Sequence, residues 1–207
     1  SENLDIKYND LARAEFDQDG KITKTADLFF LGGGKNVGES RNKYAAFFEG
    51  EKSILDNLDV RLAARYETSD NFSSIDPKIS LKFKPTDNLI IRMSKGTSFA
   101  MPSMAQMFAS DINLGSVRDQ DVNVFVRQAR IGNPDLKPAT AVNSNIGFIF
   151  NASSSRVTLD YWEIDYKDRV VAQSAQALLQ SDSQGPSITR NSEGDLIAVT
   201  TTYFNEE

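Results

Sequence analysis

The chain has 207 residues, a net charge of −6 and neither cysteine nor histidine. These absences remove disulfides, thiol nucleophiles, cysteine zinc sites and the commonest general base from this chain. Its acidic balance argues against duplex nucleic acid as a partner, because phosphate binding needs a clustered basic surface. A carboxylate-pair mechanism stays open in principle, but no nucleophile–base pair is recognisable. We therefore expect no enzyme activity, no catalytic residue, no metal site and no cofactor.

Six segments have the alternation or composition of β-strands. The clearest covers residues 58–67, LDVRLAARYE, where apolar side chains occupy every second position. Period-two alternation predicts a strand that is wet on one face, and about ten residues suffice for a tilted strand to cross a bilayer. In chain order, the predicted strands are residues 44–49, 58–67, 78–84, 89–97, 142–150 and 157–166.

The connections between these strands alternate in length. Residues 51–57, 85–88 and 151–155 are short and turn-like, whereas 68–76, 100–140 and 172–195 are longer. Barrels of the outer membrane have short periplasmic turns and longer extracellular loops, so this order predicts an all-β, antiparallel transmembrane barrel. The segments 100–140 and 172–195 are then expected at the same end of the sheet. A soluble antiparallel sandwich, in which loop lengths scatter, is the alternative.

Some local structure is expected within the loops. Short helices are possible near residues 102–108 and 172–180, and we attribute the recurrence of methionine at 101, 104 and 107 to local packing. Residues 17–20 and 191–194 each contain a glycine between two plausible strands, which predicts hairpin tips.

Alternation also assigns faces within the predicted sheet. Leu62 is expected toward lipid and Ala63 toward the lumen. The apolar residues expected on one continuous face of a single sheet are Leu58, Leu62, Ile79, Leu81, Phe83, Leu89, Ile91 and Met93. A sandwich would instead divide them between two packed sheets.

Several motifs occur in the order that they have in the barrel domain of TonB-dependent receptors, and the chain resembles that family. The strand 159–170 resembles the D-Y-[WY]-x-I element of the family, and Thr140 stands where the family usually has glutamate. Ala100 and Met101 replace a common Arg-Ala, and Ser53-Ile54-Leu55 replaces a proline turn. The similar stretches are 44–55, 57–67, 76–85, 91–103 (IRMSKGTSFAMPS), 132–140 (GNPDLKPAT) and 159–170 (LDYWEIDYKDRV).

The resemblance implies a function and a set of partners. Such receptors import scarce nutrients, namely iron chelates, vitamin B12 or oligosaccharides, and an N-terminal plug fills their 22-stranded barrel. We expect residues 1–207 to be one segment of that barrel, without the plug, in the bacterial outer membrane. The expected partners are the TonB complex acting through the plug, the outer-membrane lipid and a small nutrient ligand. The alternative is a soluble β-sandwich that binds carbohydrate through Tyr161, Trp162 and Tyr166.

Cationic residues are the candidates for ligand binding. Arg61, Arg65, Lys82 and Arg92 fall on the polar faces of the predicted strands, where a barrel would place them toward the lumen or the plug. Arg118 and Arg127, with Arg130 nearby, belong to the long segment 100–140 and are available to an anionic ligand. The competing interpretation is a solvated face whose charges form ion pairs within the barrel.

Overall fold

The computed structural model of the chain describes residues 1–16, 22–24, 27, 32–69 and 72–207. It has two short helices, α1 (Met104–Phe108) and α2 (Ala175–Ser181). No helix in these ranges is both long enough and apolar enough to span a membrane. The strands are β1 (Glu2–Ile6), β2 (Glu15–Phe16), β3 (Ile22–Lys24), β4 (Gly33–Gly34), β5 (Val37–Arg41), β6 (Lys43–Leu55), β7 (Leu58–Ser69), β8 (Phe72–Thr86), β9 (Leu89–Ala100), β10 (Ser110–Asp119), β11 (Val122–Ile131), β12 (Ala139–Asn151), β13 (Arg156–Lys167), β14 (Arg169–Ala172), β15 (Ile188–Arg190) and β16 (Leu196–Glu206).

Six of these strands form one antiparallel sheet, in the order β6-β7-β8-β9-β12-β13, which we call the wall. All six predicted strands are present in it. Directly opposite residues of antiparallel strands share a face, and Leu58 is opposite Phe83, which is opposite Ile91. The eight apolar residues expected on one face therefore do share it, within a single sheet. This is the arrangement of a barrel wall and not that of two packed sheets.

The two ends of the wall differ as predicted. The N–H of Lys84 donates to the carbonyl of Asn57, and the N–H of Asn151 donates to the carbonyl of Asn88, both at 2.8 Å. The three short turns therefore lie side by side at one end. The segments 100–140 and 172–195 begin at the opposite end, where they pack against each other.

The expectation of a long loop at residues 68–76 is wrong. Strand β7 continues to Ser69, β8 starts at Phe72, and Thr68 pairs with Ser73. The serines and threonines of this stretch have the composition of a loop. A neighbouring strand satisfies the backbone N–H and C=O groups whatever the side chains are, so a polar stretch can still be paired as a strand.

The other two long segments fold into a second sheet, in the order β14-β16-β11-β10-β4 with β15 beside β16, which we call the lobe. Its hairpin β10–β11 turns through Gln120 and Asp121, whose φ angles of 45° and 69° are those of a tight two-residue turn. Strand β16 adds to β11 in parallel. Of this sheet, the sequence predicted only the hairpin around residues 191–194, which joins β15 to β16.

Both short helices expected in the loops are confirmed. Met104 and Met107 of α1 are buried, as local packing predicted, and α2 covers one face of the lobe. The core there comprises Val117, Val126, Ala175, Leu179, Leu196 and Val199. The hairpin around residues 191–194 is confirmed by the pairing of β15 with β16, whereas residues 17–20 lie outside the described ranges.

Candidate functional site

The charged face of the wall gathers three of the predicted cations. Arg61 on β7, Lys82 on β8 and Arg92 on β9 line one shallow concavity of about 270 Å³, together with Glu51 and Asp59. Alternation places them there, because every second residue of each strand points to this face. The opposite face of the same strands is mainly apolar over the half that is nearer to the short turns.

Each of these three cations has a carboxylate partner on another strand of the wall. Arg61 forms a salt bridge with Glu49 and lies 3.8 Å from Glu51. Lys82 reaches Asp59 at 3.4 Å, and the Ser53 hydroxyl donates to the same carboxylate at 2.7 Å. These side chains are a quarter to a half exposed, so each pair contributes at most about 1 kcal/mol to stability. The local charge of the concavity is nonetheless largely neutralised.

Arg92 makes the most directional of these pairs. Its Nη2 donates to Oδ2 and Oδ1 of Asp160, at 2.7 and 2.8 Å, and its Nε donates to Oδ1 at 3.2 Å. Gly147 of β12 lies between the two partners, and a Cβ there would come within 2.2 Å of the Asp160 carboxylate. The glycine therefore gives the ion pair the space to bridge β9 and β13 across β12.

Arg65 lies farther along β7, toward the lobe. It donates from Nη2 to Glu67 at 2.6 Å, two residues along the same strand. Arg65 does not line the concavity that the other three cations share.

The aromatic residues considered for carbohydrate stacking are separated by the wall. Trp162 is opposite Asn145, and Tyr166 is opposite Ala141, which places both on the charged face. Tyr161 is opposite Ile146 and lies on the apolar face. The three aromatic rings therefore do not form one platform.

Arg118 and Arg127 lie in the lobe, away from the other four predicted residues. Arg118 sits near the tip of the β10–β11 hairpin and pairs with Asp121 at 3.1 Å, with both side chains well exposed. Arg127 is half-buried on β11, opposite Leu114. Arg130, the third arginine noted in this segment, stacks over the ring of Tyr203 at 5.7 Å.

Arg190, which sequence reasoning missed, makes four side-chain hydrogen bonds in the lobe. Its two terminal nitrogens donate to both oxygens of Asp119, at 2.8 and 3.0 Å. It also donates to the carbonyls of Ser183 and Gly194. Only 10% and 13% of the Arg190 and Asp119 side chains are exposed. Arg190 thus ties segment 172–195 to the β10–β11 hairpin.

Electrostatics in the lobe follow from these contacts. The hydrogen bonds from Arg190 hold the pKa of Asp119 below its usual range, and Asp119 in turn raises the pKa of Arg190. Burial raises the pKa of Asp111, although the charge of Arg130 opposes this. Burial, and then the charge of Asp111, raises the pKa of Tyr8. Within the described ranges, no three acidic side chains approach closely enough to hold a metal ion.

A family model described as "TonB dependent receptor-like, beta-barrel" matches residues 3–205 of this chain. The chain belongs to the TonB-dependent receptor family. The wall is part of the β-barrel of that family, and the lobe is built from the connections on one side of it.

Similar proteins agree with this assignment. The probable TonB-dependent siderophore receptor PirA of Acinetobacter baumannii is 28% identical over 129 residues, which cover 62% of this chain and 17% of the relative. The crystal structure of PirA from the same organism superposes with a TM-score of 0.59 at 21% identity, covering 80% of this chain and 24% of that one. A variant of the ferric enterobactin receptor of Pseudomonas aeruginosa, in complex with enterobactin, gives 0.67 at 16% identity, covering 98% and 27%.

The chain therefore spans less than a third of the length of each of these relatives. The two structural similarities concern the fold.

Proposed function

We propose that this chain is part of the wall of an outer-membrane receptor that takes up a scarce nutrient with energy delivered through TonB. The observation that carries the proposal is a single antiparallel sheet with one apolar and one charged face, in a chain that the barrel family matches almost from end to end. The apolar face suits lipid and the charged face suits a wet lumen. The plug that fills the lumen and contacts the TonB complex is a proposed partner.

A ferric siderophore is the proposed substrate. The support is the name of the curated relative, a probable siderophore receptor, and the two superposed structures, which are both siderophore receptors. Vitamins and oligosaccharides are the other substrate classes considered for this family. A stacking platform for sugars has little support, since Tyr161 is on the opposite face from Trp162 and Tyr166. This separation of the aromatic residues argues against a carbohydrate-binding β-sandwich. The wall is also one sheet, whereas a sandwich packs two sheets face to face.

Uptake by the intact receptor tests this proposal. The gene that encodes the full-length protein would be deleted in its own host, and accumulation of radioactive iron would be measured with a panel of ferric siderophores under iron limitation. We expect uptake of one siderophore class to be lost, and to be restored by the intact gene only when TonB is functional. Unchanged iron uptake with every siderophore, together with loss of vitamin B12 or oligosaccharide uptake, would contradict the proposed substrate. Retained uptake without TonB would contradict the proposed energy source.

Two roles are proposed for the cations of the charged face. Arg61, Lys82 and Arg92 contact either the ligand or the plug, or they serve only as ion pairs between strands. Their pairing with Glu49, Asp59 and Asp160 favours the second role. Arg118 and Arg127, in the lobe, are proposed contacts for an anionic ligand, because a surface-exposed or half-buried guanidinium suits an anionic group.

A charge swap separates the two roles of Arg92. Exchanging the partners, as Arg92→Asp together with Asp160→Arg, keeps an ion pair across Gly147 but reverses its direction. If the pair only joins strands, the double variant retains ligand affinity while each single variant loses barrel stability. If Arg92 contacts an anionic ligand, the double variant loses affinity as much as Arg92→Asp alone.

A further inference from the structure

Three connections join the wall directly to the lobe, and hydrogen bonds link them to one another and to β16. The connections are residues 101–109 between β9 and β10, residues 132–138 between β11 and β12, and Asp168 between β13 and β14. The N–H of Asn133 donates to the carbonyl of Gln106 at 2.9 Å. Gly132 permits this close approach, since a Cβ there would come within 2.7 Å of the backbone of Met107. The first two connections therefore pack backbone against backbone.

Strand β16 of the lobe bonds to the second connection through two asparagines. Nδ2 of Asn133 donates to the carbonyl of Tyr203 at 2.9 Å, and its Oδ1 accepts from the N–H of Asp135 at 2.9 Å. Farther along β16, Oδ1 of Asn205 accepts from the N–H of Lys137 at 2.8 Å, and its Nδ2 donates to the Lys137 carbonyl at 2.9 Å. The amide of Asn205 thus pairs with the backbone of Lys137 as a neighbouring strand would, across 68 residues of sequence.

Asn205 also bonds to the third connection. Its Nδ2 donates to the carbonyl of Asp168 at 2.7 Å. Asp168 has a φ of 54°, in the left-handed region that residues other than glycine seldom adopt. At this residue the chain leaves β13 of the wall and enters β14, which pairs with β16 in the lobe. One side chain therefore bonds two of the three connections at the same time.

The chemistry of this position calls for an amide. A carboxamide has two N–H donors and a carbonyl acceptor, and Asn205 uses both kinds of group, since it donates to two backbone carbonyls and accepts from one backbone N–H. A carboxylate has nearly the same volume, but it can only accept. In Asn205→Asp, both donated bonds would be lost and a negative charge would face two carbonyl oxygens.

The first connection is held from a second side by Arg41, the last residue of β5. Nη1 of Arg41 donates to the carbonyl of Pro102 at 2.9 Å, and only 9% of the arginine side chain is exposed. Nη2 donates to Glu2 at 2.7 Å. A buried hydrogen bond from a charged donor is costly to break, because the group left behind has no water to replace its partner.

We propose that these bonds fix the lobe on the wall as one rigid body, and that Asn205 is the residue that holds the second and third connections together. The inference rests on the proposed receptor function and adds how the lobe takes part in it. The lobe then presents exposed groups such as Arg118 at a constant position relative to the wall before a ligand arrives. A preformed surface avoids the entropic cost of ordering loops on binding, so the ligand is selected by shape and charge and not by loops that close over it.

Distances between the wall and the lobe in the intact receptor test this inference. Cysteines would replace Ser73 of β8 and Asn123 of β11, which are both exposed, and would carry nitroxide spin labels. Double electron–electron resonance on the full-length receptor in phosphatidylcholine nanodiscs, without added ligand, gives the distribution of distances between the labels. A second pair, at Lys35 beside β4 and at Asn123, reports on the lobe alone.

Three isosteric substitutions are compared with the unchanged receptor. Asn205→Asp removes both donated bonds of the junction, and Asn133→Asp, a milder variant, removes the bond to the Tyr203 carbonyl. Asn191→Asp is the matched control. It makes the same exchange of amide for carboxylate within the lobe, but the amide of Asn191 bonds to Asp195 in the β15–β16 hairpin, away from the three connections.

We expect one narrow wall–lobe distribution in the unchanged receptor and in Asn191→Asp. In Asn205→Asp it should become at least about twofold broader, because connections that lose their cross-links can act as hinges, and Asn133→Asp should lie between. The distribution within the lobe should stay narrow throughout. A broad wall–lobe distribution in the unchanged receptor, or a narrow one in both Asn205→Asp and Asn133→Asp, would overturn the inference. Broadening within the lobe would also overturn it, since Asn205 would then maintain the lobe itself. Each of these failures would leave siderophore uptake intact, which the uptake experiment tests separately.

Discussion

The wall and the lobe are both β-sheets, but their large apolar side chains are mostly exposed in the wall and mostly buried in the lobe. The buried apolar residues belong almost entirely to the lobe and the segments that pack on it, and the wall contributes only Ala141 and Ile149. Large apolar side chains of the wall are instead exposed, among them Phe48, Leu62 and Leu159. The lobe thus has a hydrophobic core that the protein itself shields from solvent. Under the proposed membrane function, lipid covers the apolar face of the wall, so the two regions are expected to respond differently to the same kind of change.

The largest expected effect is the loss of Arg190 from the lobe. Arg190→Ala leaves the carboxylate of Asp119 nearly buried without its partner, which costs toward the lower end of about 3–5 kcal/mol. Hydrogen–deuterium exchange of the full-length receptor should show faster exchange in β10, β11 and residues 182–195, with the wall unchanged. Arg169→Ala is the control, because the Arg169–Glu206 pair at 2.6 Å is more than half exposed and should contribute at most about 1 kcal/mol. Equal effects of the two substitutions would contradict the role assigned to Arg190.

In the wall, the largest expected effect comes from a charge on the apolar face. Leu62→Arg should cost roughly 2–4 kcal/mol near the bilayer midplane, whereas Ala63→Arg, directed into the wet lumen, should cost much less unless it collides with the plug. Refolding stability and outer-membrane abundance measure both. A polar control, Leu62→Gln, compared with Leu62→Arg in bilayers of different thickness, isolates the charge. Equal costs that do not depend on thickness would mean that Leu62 meets no membrane.

Substitutions of two glycines, one in each region, are expected to destabilise the protein less than the changes above. In the lobe, a Cβ on Gly132 would come within 2.7 Å of the backbone of Met107, which has little freedom to move, so Gly132→Ala should cost about 1–3 kcal/mol. In the wall, a Cβ on Gly147 would meet the side chains of Asp160 and Arg92. These can move aside into the lumen, so Gly147→Ala should cost less than about 1 kcal/mol. Thermal unfolding of the full-length receptor in micelles measures both, and the reverse order would contradict this view of the two sites.

The wall was predictable from the sequence because its order is periodic. Alternation in residues 58–67 identifies a strand and its two faces, and the alternation of short and long connections identifies the ends of the sheet. The same alternation placed Arg61, Lys82 and Arg92 on one face. Their carboxylate partners could not be assigned, because pairing depends on a register that only the three-dimensional structure supplies.

The lobe escaped prediction because its contacts join distant parts of the chain. Strand β11 pairs in parallel with β16, about seventy residues away, and Asp119 meets Arg190 at a separation of 71 residues. No local pattern records such contacts. The opposite error occurred at residues 68–76, where a polar composition predicted a loop although the backbone is paired as strand. In the wall, local composition is thus a poorer guide to structure than periodicity.

The smallest expected effect is the response of the lobe to acid, because protonation weakens the pair of Asp119 and Arg190 without removing either side chain. The folded lobe lowers the pKa of Asp119. The pair therefore stabilises the lobe fully above the ordinary aspartate pKa of about 4, and this contribution is lost as the pH falls through the lower folded value. Asp111 acts in the opposite direction, since its pKa is raised by burial and protonation relieves the cost of burying its charge.

Protection factors of β10 and β11, which are normalised to the intrinsic exchange rate at each pH, should therefore rise slightly under mild acid and fall under stronger acid. Asp119→Asn should remove most of the fall, because an amide does not gain a proton in this range. Asp111→Asn should remove the rise and keep the fall. The wall should show neither change if its residues are covered by lipid. A fall that persists unchanged in Asp119→Asn would mean that another group controls the acid response and that the ion pair with Arg190 does not hold the lobe together.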